Sequence, residues 1–225
     1  LIQRCIELSK FFIISLDPAQ IHDFSALAVL EKDTAAHTYK IVSLSRRQHQ
    51  PYTEIVEWAN KVYLNPRFRE DVAYPPVFLL DVGGVGVAIR DMLKAAGVRV
   101  TGIQLTGGEA ENRTGIATYN VSKSIVVGRF LRAWDEGRVL MPAKASFLNL
   151  FHNELRAFKG AMSAVGRVRF EAEQGENDDL VMSVAQAVWW GEVPNQPKPH
   201  PVMVPLPRPD QLLAGHAPQP KIPKF

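Results

Sequence analysis

At 225 residues the chain can form one sizeable core, or one domain with a tail, and its 46% hydrophobic and 22% charged residues are ordinary for a globular protein. A net charge of +3 is compatible with a phosphate-bearing partner without selecting one, and the single cysteine, Cys5, excludes an internal disulfide and fits a reducing compartment. The six histidines are scattered with no pair at zinc-ligand spacing, and no apolar run approaches the ~20 residues of a membrane span.

Arg4 to Leu16 loosely mimics a signal peptide, but no small-residue cleavage site follows and Asp17-Pro18 closes the apolar run. It reads instead as a buried strand, Phe11 to Leu16. The missing initiator Met implies a fragment or an excised domain. Ser25 to Leu30 and Tyr39 to Leu44 follow as two more strands on short connections, which predicts an antiparallel meander. Pro51 then stands at a first helical position, and Ile55, Trp58, Ala59 and Val62 recur at helical spacing.

Val77 to Leu80 is a fully apolar strand ending at Asp81, and Gly83-Gly84 makes the turn into a helix from Val87 to Ala96, closed by Gly97. Val98 to Leu105 is the next strand, ending in Thr106-Gly107-Gly108. This strand–helix–strand unit predicts a parallel pair with a right-handed crossover. Beyond it the pattern gives a helix from Ser122 to Trp134, a short Val139-Leu140-Met141 segment and a helix from Ala145 to Phe158. A strand from Arg167 to Glu171 and a strongly apolar helix from Asp178 to Trp190 complete the series. From Pro194 the composition changes, with ten prolines before Phe225. The expectation is a folded domain over 1–191 and an extended or disordered tail over 192–225, either passive or a docking peptide.

Three strands, a helix, a strand–helix–strand unit and a late helix opening in Asp-Asp make the element order of the ribonuclease H-like α/β fold, a mixed sheet of antiparallel meander and parallel strands flanked by helices. In that order Asp17 ends the first strand, Asp81 ends a parallel strand where open α/β sheets carry their sites, and Asp178-Asp179 open the last helix. Each has a bland alternative: a turn aspartate before Pro18, a loop start before Gly83, a helix cap at 178–179. Together they predict converging carboxylates, which repel unless a cation neutralises them. Oxygen-only ligands select Mg²⁺ or Mn²⁺, and two such ions can activate a water and stabilise the leaving oxygen of a phosphodiester. Asp17, leaving the central strand, is the candidate ligand shared between the two ions. Asp23 is a further candidate, either a peripheral ligand or a turn residue.

Leu16-Asp17-Pro18-Ala19 with Asp23, Leu80-Asp81-Val82-Gly83-Gly84-Val85-Gly86, Thr106-Gly107-Gly108, Ser122-Lys123, Glu154-Leu155 and Asn177-Asp178-Asp179-Leu180-Val181 form an ordered set over roughly residues 11 to 191. The set resembles the C-terminal nuclease domain of tailed-bacteriophage large terminases, which cut viral DNA during packaging. The resemblance implies a metal-dependent endonuclease acting on double-stranded DNA in the host cytoplasm, with catalytic metals on Asp17, Asp81, Asp178 and Asp179 and Lys123 near the DNA backbone. It also implies a terminase ATPase domain and a portal or procapsid as partners. The chain departs from the family at Asn177, where histidine is frequent. It also has no GxxxxGK[ST] phosphate loop, so the motor was removed or is encoded elsewhere.

Other readings remain open at this point. The glycines after Asp81 invite an actin-like or Rossmann nucleotide site, although their spacing is not GxGxxG and no acidic residue follows at the next strand end. A resolvase or transposase of the same fold, or a non-catalytic module that binds DNA or a capsid protein, would share the element order. Keeping every acidic position argues against the last, because buried carboxylates without a metal are costly.

Overall fold

The run from Phe11 to Leu16 has one polar position, Ser15, a pattern tolerated only where both faces of a strand are covered. In the computed structural model this run belongs to β1 (Lys10–Asp17), inside the main sheet. The structure describes residues 9–19, 23–69, 74–142, 147–162, 168–172 and 178–193. Cys5, Asn177, Arg167, the start of the helix expected from Ala145 and the proline-rich segment from 194 onward lie outside these residues.

β2 (Ser25–Asp33) and β3 (Thr38–Arg47) complete the expected meander, each antiparallel to its predecessor. Helix α1 (Tyr52–Tyr63) follows Pro51. The strand–helix–strand unit is β4 (Val77–Asp81), α2 (Gly86–Ala95) and β5 (Val100–Thr106), with β4 parallel to both β1 and β5. An antiparallel hairpin then appears that the apolar pattern does not announce, β6 (Glu111–Gly115) and β7 (Thr118–Ser122). The sequence of β6 is Glu-Asn-Arg-Thr-Gly, an exposed polar edge strand without hydrophobic alternation to detect. The chain continues through α3 (Lys123–Asp135), β8 (Val139–Leu140) and α4 (Leu148–Ala157). It closes with β9 (Phe158–Met162), β10 (Val168–Ala172) and α5 (Asp179–Glu192).

Among the described residues eight strands form one mixed sheet in the order β6-β7-β5-β4-β1-β2-β3-β8, and β9 and β10 pair separately. Side chains alternate across each strand, so β1 feeds two cores. Ile13, with Ala28, Leu30, Leu79 and Ile103, packs under α3, α4 and α5. Phe12, Ile14 and Leu16, with Leu27, Val29, Phe78 and Leu80, pack under α1 and α2. Helix α5 is buried at every position from Leu180 to Trp190, the pattern of a helix apolar all round and enclosed on every side. Within this core the Ser15 hydroxyl of β1 donates to Gln186 Oε1 of α5 at 3.2 Å.

The far end of α5 is pinned by charge. Glu192 Oε1 accepts from Tyr39 Oη at 2.6 Å and from Arg138 Nη1 at 2.7 Å. Beside them Lys32, 4% exposed, sets its ammonium 3.8 Å from the centroid of the Tyr39 ring and 3.9 Å from Glu192 Oε1. Burial is the main reason its pKa falls to about 8, with Glu192 opposing and Arg138 adding to the fall. Between pH 8 and 10 the unfolded chain therefore binds a proton that folded Lys32 has released, so stability should rise with pH in that window. Tyr39 does not mask this, because its pKa is raised by burial and its bond to Glu192, and its contribution is lost only above its unfolded value of 10.0. Urea unfolding at pH 8, 9 and 10 should show the rise in the natural chain and lose most of it in Lys32→Met; an equal rise in both would refute the assignment.

Candidate active site

Parallel pairing of β1 with β4 runs through Leu16 and Leu80, so the last residue of each strand, Asp17 and Asp81, stands beside the other at the sheet end. The turn after β4 is built tightly around Asp81. Its Oδ1 accepts from the Gly83 amide at 2.7 Å. At Gly86 a Cβ would come within 1.9 Å of the Asp81 carbonyl oxygen, so only glycine lets α2 start this close to the strand end. The glycine run thus has a structural task, packing the helix start against the strand that carries Asp81.

Asp178 and Asp179 stand at the N-cap and first residue of α5, the helix packed on the sheet face that carries Ile13 and Leu79. Asp178 makes no side-chain capping bond. Its Oδ2 accepts instead from Lys123 Nζ at 2.9 Å, at the start of α3. Ser122 caps that helix through its hydroxyl, which accepts from the Ser124 amide at 3.2 Å. Lys123 is therefore turned into the carboxylates in this structure. Asp23, exposed in the β1–β2 connection, adds its charge to the field around Asp179.

These groups share one electrostatic field. The Asp17 carboxyl is pushed well above the usual carboxylate range, first by burial and then by repulsion from Asp81, Asp179 and Asp178, with Lys123 relieving part of it. Asp81 is raised by burial against the opposing pull of the Gly83 amide and Lys123. Asp179 rises to about 6, through burial and then Asp178, with Arg46 opposing. Asp179 Oδ2 is buried without a hydrogen-bond partner. An orphaned carboxylate oxygen in a cluster of acids fits a hard cation with oxygen ligands, Mg²⁺ or Mn²⁺. Among the described residues the His, Cys, Asp and Glu side chains form no ready-made metal-holding group of three or more. Two of the acids are engaged elsewhere, Asp178 with Lys123 and Asp81 with Gly83.

A buried acid with no role assigned by the sequence reading stands behind the pair. Glu154 on α4 is 4% exposed, and its Oε2 accepts from the Leu180 and Val181 amides at 2.9 and 3.4 Å. Its Oε1 accepts from Arg46 Nη1 at 2.8 Å, and the Arg46 guanidinium lies 4.0 Å from the centroid of the Phe24 ring. The Glu154-Leu155 motif marked the position. Its work is done on backbone amides of another helix, which spacing in a sequence cannot reveal.

No family model matches the sequence. The terminase large subunit of Thermus virus P23-45 is 26% identical over 176 residues, which is 78% of this chain and 31% of that protein. The chain thus spans about a third of the length of the curated relatives it matches. Among solved structures, the large terminase nuclease of the thermophilic phage G20c with bound cobalt superposes with a TM-score of 0.60 at 23% identity, covering 80% of each chain. The same nuclease with bound magnesium gives 0.59 at 24% identity, with the same coverage. The chain has the fold of a large terminase nuclease domain.

This terminase nuclease fold is the ribonuclease H-like mixed sheet expected from the element order. Among the described residues no helix is long and apolar enough to cross a membrane. Within this fold Gly86 is the sharpest steric constraint near the acids, whereas Gly128, on the exposed face of α3, has open space around it. Gly86→Ala should cost about 1–3 kcal/mol by forcing the β4–α2 turn apart. Gly128→Ala should instead be neutral or stabilising by up to about 1 kcal/mol. Chemical denaturation of the two variants checks both; comparable stability would mean that the turn is looser than described.

Proposed function

We propose that this chain is the nuclease module of a phage large terminase, hydrolysing phosphodiester bonds of double-stranded DNA with divalent ions held by Asp17, Asp81, Asp178 and Asp179. The observation that most supports it is the field around Asp17, a half-buried carboxylate repelled by three other aspartates at the end of two parallel strands. Structural relatives with cobalt or magnesium bound support the divalent metal. Mn²⁺ and Mg²⁺ are the ions the all-oxygen donor set favours, and a two-ion arrangement shares Asp17.

Bound there, the ions supply an activated water and charge stabilisation on the leaving oxygen. The chain's own residues do the rest. Asp17 and Asp81 are delivered by strands whose position the two cores fix. Asp178 and Asp179 are delivered by the start of a helix enclosed from Leu180 to Trp190. Lys123 holds positive charge beside these acids, where a DNA phosphate approaches, and Asp23 is a peripheral carboxylate. The terminase ATPase motor and a portal or procapsid are the partners of this reading, and the host cytoplasm is its setting.

Supercoiled plasmid should be nicked and then linearised in Mn²⁺ or Mg²⁺, with little sequence preference. Asp17→Asn and Asp81→Ala should each lower the rate by about 100-fold or more. Because Asp17→Asn removes a charge that is repelled and desolvated, its metal-free thermal midpoint should equal or exceed that of the natural chain. Activity retained in both variants would sink the assignment. DNA affinity should also fall steeply with salt, as phosphate contacts require.

A further inference from the structure

Helix α5 begins in an unusual way for a helix opened by two aspartates. The N-cap residue ordinarily turns its side chain back to accept from the second or third amide of its own helix. Asp178 occupies the N-cap and does not do so. The amides it would serve, Leu180 and Val181, belong to wholly buried residues and donate to Glu154 Oε2 at 2.9 and 3.4 Å. Glu154 is brought from α4, and its second oxygen is fixed by Arg46 from β3 at 2.8 Å. We propose that Glu154 is a positioning residue that caps α5 from across the core, so that the Asp178 and Asp179 carboxylates stay turned toward Asp17.

Carboxylates compete for the donors at the start of α5. A buried amide left without an acceptor is costly, so the two amides take the nearest carboxylate available. With Glu154 present, that demand is met from another element. Without it, Asp178 is the adjacent acceptor, and swinging into the capping position draws it away from Asp17. Arg46 makes the arrangement directional. It fixes one oxygen of Glu154 and rests on Phe24, leaving the other oxygen aimed at the helix. Lys123 Nζ, 2.9 Å from Asp178 Oδ2, is a second partner at the same turn.

This inference rests on the metal-site reading above and makes a separable prediction. Mn²⁺ binding to the full 225-residue chain is measured by isothermal titration calorimetry, alongside metal-free thermal melting. Glu154→Ala should bind Mn²⁺ about tenfold more weakly or worse, the loss typical when a group orienting a metal ligand is removed. Glu154→Gln keeps an acceptor for the amides but sets an amide nitrogen or a neutral oxygen against Arg46, and should fall between. Leu93→Ala, in the core on the other face of the sheet, supplies the control for lost stability, with unchanged Mn²⁺ affinity. In plasmid cleavage the Glu154 variants should need more Mn²⁺ for half-maximal rate and approach the natural rate at saturation. Natural-like Mn²⁺ affinity in Glu154→Gln and Glu154→Ala would overturn the inference, as would an equal loss in Leu93→Ala. No Mn²⁺ binding by the natural chain would instead remove the metal-site reading, and this inference with it.

Discussion

Carboxylates removed from water beside one another repel, and each added one makes the next harder to ionise. Asp17 meets this constraint in full, with burial and three aspartates acting on a single group. Much of the surrounding structure follows from having to hold such a cluster together. Parallel strands deliver two of the acids in register, and an enclosed helix delivers the other two. That helix is fixed at both ends: Glu154 and Lys123 hold its start, and the Tyr39–Glu192–Arg138 cluster pins its finish. Glu111 adds a third anchor, accepting from Trp189 Nε1 at 2.9 Å while paired through both oxygens with Arg129.

The positive charges near the site are placed to soften the repulsion without abolishing it. Lys123 relieves Asp17 and Asp81, and Arg46 relieves Asp179 while it fixes Glu154. What remains is a residual demand for positive charge, expressed in a buried Asp179 oxygen with no partner. A cluster kept under such strain costs stability in the absence of a cation, and sites that trade stability for chemistry are a recurrent pattern in enzymes. The donor chemistry and the electrostatics thus both favour a divalent cation among these carboxylates.

The main sheet was legible because its strands are buried. The apolar runs from Phe11 to Leu16 and from Val77 to Leu80 announced β1 and β4, and the aspartate ending each run falls at the end of its strand, beside the other. Hairpin β6–β7 was not legible, because an exposed edge strand such as Glu-Asn-Arg-Thr-Gly carries no alternation. Residue identity marked Lys123 but not that its ammonium turns inward to Asp178. Least legible was Glu154, whose partners are amides 26 and 27 positions away and a guanidinium 108 positions away. Such contacts exist only once the sheet has brought α4, α5 and β3 together.

The central claim is that Asp17 is shared between ions that its three neighbours help to hold. The most direct measurement is anomalous diffraction from crystals of the chain soaked in Mn²⁺. The account predicts peaks within about 2.0–2.3 Å of carboxylate oxygens of Asp17 and Asp81, and of at least one of Asp178 and Asp179. Crystals that take up Mn²⁺ elsewhere while these four carboxylates stay bare would contradict it.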